Sequence, residues 1–211
     1  MRSYLDLIPI SARVKRKQSR MTIMCIVLAV FLVSGVFSMA DMGVRAEKAK
    51  LIAKHGNWHV MLQNMDDTTA RGILSRGDIA AAAWFDSVNY KLDQDYRIGS
   101  KLTAVCGTEE AYVTDIRTDE YTGRFPCGAD EIMLRMNAEE LLGIHIGDRI
   151  TLTTPAGDVE YTVSGLRYDE SAVFYDALVA LVDKEAFDAF CSLTGSQDSY
   201  PEYYIRFTAH T

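Results

Sequence analysis

No stretch of this sequence reads G-x-x-x-x-G-K-[ST], so the chain lacks the loop whose backbone amides cradle nucleotide phosphates. Gly99-Ser100-Lys101 is not preceded by the glycines such a loop needs. G-x-S-x-G, H-E-x-x-H and S-x-x-K are missing as well, which leaves no catalytic, cofactor-binding or metal-binding residue to nominate. We read the chain as a protein that is not an enzyme and needs no cofactor.

Cysteine is scarce. Of four, Cys25 falls in an apolar run, and Cys106, Cys127 and Cys191 can form at most one internal disulfide. Cys106 with Cys127 is the pair expected if one forms, because Cys191 falls inside a predicted helix and can serve as a small core residue. His55 and His59 are four apart and would share a metal on a continuous helix. Gly56 and the alternating pattern after it place them at a helix–strand junction instead, so no metal is expected there.

Charge is absent from Met21 to Ala40, MTIMCIVLAVFLVSGVFSMA. As a helix this run is roughly 30 Å long, the thickness of a bilayer's hydrocarbon core. Its polar atoms are the hydroxyls of Thr22, Ser34 and Ser38, which can bond back to helix carbonyls. We read 21–42 as a transmembrane helix. Ser38-Met39-Ala40 also fits a signal-peptidase site, but the run exceeds the usual 7 to 15 apolar residues and the basic leader is long.

That leader, residues 1–20, carries Arg2, Arg13, Lys15, Arg16, Lys17 and Arg20 against Asp6, a charge of +5. It is read as a cytoplasmic, interfacial segment in contact with membrane lipid. Arg45, Lys48, Lys50 and Lys54 beyond the span weaken the charge contrast that sets this orientation. With a whole-chain charge of -7, the residues after Ala40 carry -12, which disfavours nucleic acid and anionic lipid headgroups as partners of that region.

Beyond the span, 43–56 is expected to continue as a helical stalk ended by Gly56. The remainder, 57–211, reads as one mixed α+β domain outside the cytoplasm. Expected strands are 57–63, 79–85, 88–92, 101–106, 131–134, 149–154, 159–166, 177–182 and 203–208. Asp66 or Asp67, Asn137 and Asp183 are the expected helix caps, and Pro155 to Asp158 the hairpin turn. Tyr161, Tyr168, Phe174, Tyr175, Tyr200, Tyr203 and Tyr204 could line a groove, though packing explains them as well.

Gly123-Arg124-Phe125-Pro126, Glu131-Ile132-Met133-Leu134, Leu142-Gly143-Ile144, Gly147-Asp148 and Tyr161-Thr162-Val163-Ser164-Gly165-Leu166 occur in this order after one N-terminal span. The arrangement resembles the MacB-like periplasmic core domain of FtsX-like ABC transporter permeases, and the basic run entering the span fits the same pattern. The resemblance implies a truncated or natural permease fragment. An ABC ATPase subunit would be its cytoplasmic partner, with a second permease copy or an extracytoplasmic protein on the other side. The alternative is a single-pass anchored binding module that recruits an extracytoplasmic protein such as a cell-wall hydrolase.

Overall fold

The computed structural model describes residues 16–168, 176–196 and 201–208. The chain divides into two compact units, one ending at Lys50 and the other beginning at Leu51. The first is dominated by α1, a helix over Arg16–His55. It is long and apolar enough to cross a membrane, with a mean hydropathy of 2.6 and no burial in its most apolar stretch. Thr22 Oγ1 donates to Gln18 O at 3.0 Å, the back-bond that lets a hydroxyl sit in an apolar helix. Helix formers carry α1 past Gly43 to Gly56, whose φ of +92° ends it.

The second unit is mixed α+β, as the sequence leads one to expect. Its elements are β1 (Val60–Gln63), α2 (Asp67–Leu74), β2 (Ile79–Val88), β3 (Arg97–Ile98), β4 (Lys101–Thr108), a π-helical turn (Tyr112–Arg117) and β5 (Tyr121–Gly123). There follow β6 (Glu131–Arg135), α3 (Asn137–Leu142), β7 (Arg149–Thr154), β8 (Gly157–Arg167), β9 (Leu178–Asp183), α4 (Lys184–Thr194) and β10 (Glu202–Phe207).

Hydrogen-bonded neighbours run β1-β10-β2-β4-β3-β7-β8-β6-β9. β9 then pairs back onto β4 in parallel, Thr103 opposite Leu178 through Thr108 opposite Asp183. Six strands therefore close a circuit, and β2, β10 and β1 extend from it. One apolar cluster draws on all six: Ile98, Val105, Ile132, Leu134, Leu152, Val163, Leu178 and Ala180 among others, with Phe187 and Phe190 of α4 packed against them. The opposite face of β9, Val179 and Leu181, joins Cys106, Met133 and the Tyr112, Val113 and Ile116 side chains of the π-helical turn. Burial on both faces explains why β9 reads as a continuous apolar run. In β7, by contrast, buried and exposed residues alternate.

Asp66 and Asp183 cap α2 and α4, but several expectations need correction. The strands expected at 79–85 and 88–92 are one strand, because the ladder with β4 continues to Val88. The chain turns only at Asn89, whose φ is 57° and whose Nδ2 donates to Thr103 O. Asn137 does not cap α3. Met136 holds that position, and Asn137 Nδ2 donates to Ala177 O at 3.1 Å. The hairpin turn is tighter than expected: Thr154 pairs with Gly157, leaving Pro155 and Ala156 as the loop. No disulfide joins Cys106 to Cys127, since Cys106 is buried among packed side chains and Cys127 lies exposed in a loop.

Candidate functional site

After β4 the chain winds into a short helix that widens into the π-helical turn. Tyr112, Val113 and Ile116 anchor it to the sheet. Wide turns of this kind leave carbonyls off the usual ladder and often mark functional positions. Here Asp115 O accepts from Arg206 Nη1 at 2.8 Å, and Ile116 O accepts from Asn57 N at 2.5 Å. Asn57 lies two residues beyond the end of α1. A Cβ on Gly56 would stand 2.8 Å from Ile116 O, so glycine is required both for its φ and for this close approach.

Arg117, at the end of the turn, joins three parts of the second unit. Its Nη1 donates to Lys54 O at 3.2 Å, satisfying a carbonyl of the last turn of α1, where a cation also complements the helix dipole. Its Nε lies 3.6 Å from Asp119 Oδ2, and the same oxygen accepts from Arg167 Nη1 at 2.8 Å. The Asp119 and Arg167 side chains are only 4% and 6% exposed. Arg167 ends β8, so a linked set of polar contacts runs from the end of α1 to the strand circuit.

An aromatic group backs the cluster. Phe85 stacks on Tyr112 at 4.9 Å, and Tyr204 meets the edges of Tyr112 and Trp58, each at 5.4 Å. Burial pushes the Tyr112 phenol well above its ordinary pKa despite the nearby Arg117 and Arg167 charges, so it stays protonated. Ala53, Thr118, Asp119, Glu120 and Tyr168 line a shallow cleft of about 210 Å³ beside the ion pairs.

This arrangement ties the last turn of α1 to the π-helical turn and the end of β8. Among the described residues no three His, Cys, Asp or Glu side chains converge as a metal site. His59 Nδ1 accepts from Phe207 N at 3.0 Å, while His55 occupies the last turn of α1; the two stand at the expected junction. Tyr161 and Tyr203 are core residues, Tyr204 belongs to the aromatic group and Tyr168 is half exposed at the cleft. Arg13, Lys15, Phe174, Tyr175 and Tyr200 lie outside the described residues.

The residues that carry the family resemblance hold turns and ladders. Gly123 pairs with Gly165 across β5 and β8, and a Cβ on Gly165 would stand 2.8 Å from both Thr122 O and Arg124 O. Glu131 accepts both Arg124 guanidinium nitrogens, and Cys127 N at 3.0 Å, which folds the intervening loop back onto β6. The Arg124 hydrogen bond, then the Cys127 amide, hold the Glu131 carboxyl below its ordinary pKa. A depressed folded value means that this contribution is present above the ordinary glutamate range, near about 4.3, and is lost as pH falls through the lowered value. Carboxyl titration by NMR should place the Glu131 midpoint below that range, and Arg124→Ala should raise it toward the range, with the Cys127 amide still holding part of the shift.

Sequence reasoning did not single out Arg117, Asp119 or Arg167. The available signal was Arg167, a cation closing an otherwise apolar strand end.

No family model matches the chain, and no curated protein does. Among solved structures, a domain of a protein described as a permease from Porphyromonas gingivalis is similar, with 14% identity and a TM-score of 0.48. The match covers 75% of this chain and 65% of that one.

Proposed function

We propose that the chain is part of an ABC-type permease in which α1 crosses the membrane and passes movements driven by a cytoplasmic ATPase to the outer domain. The observation that carries this reading is the joint at Arg117. Its contacts with Lys54 O, Asp119 and, through Asp119, Arg167 mean that displacing the last turn of α1 loads β8. Coupling of this kind works through contacts that differ between two conformations and requires no bond chemistry in the domain. The orientation, with the basic leader in the cytoplasm, follows from the positive-inside rule.

The test is affinity capture of the full-length protein from its native membrane. An ABC-type ATPase should co-purify. ATP should change the labelling rate of a cysteine placed at Ala53 in the wild-type complex and not in Arg117→Gln. Capture of an extracytoplasmic protein with no ATPase would overturn the permease reading in favour of the anchored binding module.

A further inference from the structure

The acidic character of the chain beyond Ala40 is not uniform. Residues 41–55 hold Arg45, Lys48, Lys50 and Lys54 against Asp41 and Glu47, a net +2, so residues 56–211 carry -14. The cations are concentrated next to the apolar run, on a helix with no break between them. We propose that Arg45 and Lys48 bind the phosphates of anionic lipid headgroups in the leaflet on the domain's side. This inference rests on α1 spanning the membrane.

Helical rise places Arg45 about 7 Å and Lys48 about 12 Å beyond Ala40, while a headgroup layer is roughly 5–7 Å thick. Both side chains are long enough to lean back into that layer, and their spacing of three puts them on one helix face. Both residues are exposed. Arg45 Nε meets Asp41 Oδ2 at 2.8 Å, but with side chains 79% and 60% exposed this pair is weak and open to exchange. A guanidinium binds phosphate in bidentate fashion and an ammonium as a point charge, so the pair suits a phosphate surface. A free polyanion would not explain why the cations cluster at the end of the apolar run.

The full-length chain is reconstituted in mixed phosphatidylcholine and phosphatidylglycerol bilayers, and its relative affinity for phosphatidylglycerol is measured by lipid competition. The Arg45→Gln/Lys48→Gln variant should lose roughly thirtyfold in that relative affinity, from about 1 kcal/mol for each of the two cations. Lys50→Gln/Lys54→Gln changes the charge equally but farther along the helix, and should keep most of it. The basic leader contributes the same background to every variant. Equal affinity in wild type and Arg45→Gln/Lys48→Gln would overturn the proposal, as would an equal loss in the outer pair, which would show a response to net charge alone. A chain that fails to enter bilayers would overturn this proposal and the spanning reading together, whereas insertion without lipid preference overturns only the former.

Discussion

Replacing Asp119 by alanine is expected to lower the unfolding free energy of the domain by about 3–5 kcal/mol, because it removes the carboxylate paired with a buried charge. Arg167 is 5% exposed at the end of β8, and its Nη1 donates to Asp119 Oδ2 at 2.8 Å. Removing the carboxylate leaves the guanidinium in a low-dielectric setting with less to offset its desolvation. Trp58 and Trp84 are the two tryptophans and both lie in the domain, so urea unfolding in micelles can be followed by their fluorescence. The double variant Asp119→Ala/Arg167→Met should recover most of the loss, since an apolar replacement removes the stranded charge. A single variant as stable as wild type would show that the ion pair does not hold the joint.

Gly107→Ala should be nearly as damaging, and the damage should depend on Phe187. A Cβ on Gly107 would fall inside van der Waals contact with the Phe187 Cβ, Cγ and Cδ1 atoms. Overpacking of this kind costs about 1–3 kcal/mol or more. Phe187→Ala alone should cost about 3–5 kcal/mol, because its ring fills the space between α4 and β4. In the double variant the contacts with the ring atoms are gone and only that with the residue 187 Cβ remains, so its loss should fall below the sum of the two single losses by about 0.5–3 kcal/mol. Strict additivity in a double-mutant cycle would mean that the contact does not limit packing.

The parts of the fold legible in the sequence are those set by neighbours in the chain. The apolar run of α1, Gly56 as its stop, and the Asp66 and Asp183 caps all depend on local spacing, and the structure has them. β3 and β5, two and three residues long, carry no periodic signal and exist because β4, β7 and β8 present edges to them. The π-helical turn was hidden for the same reason: its wide register is held by Asn57 and Arg206, the latter 91 residues from the carbonyl it binds. Asp86 shows the limit from the other direction. A charged residue looks like a break between two strands, yet it is 4% exposed within a continuous one. Of the joint, only the helix end could be read; Asp119 and Arg167 meet across 48 positions.

The placement of β10 bears on biosynthesis. Among the described residues β10 is the last strand in chain order, and it inserts between β1 and β2, which are made well before it. During translation those early segments leave the ribosome with their shared partner still unsynthesised, and the parallel contact of β4 with β9 likewise awaits residues some 75 positions later. Such long-range pairing is slow to form and leaves exposed edges meanwhile. A nascent chain arrested before Glu202 should therefore be readily digested by protease, and resistance should arise only once Phe207 has cleared the exit tunnel.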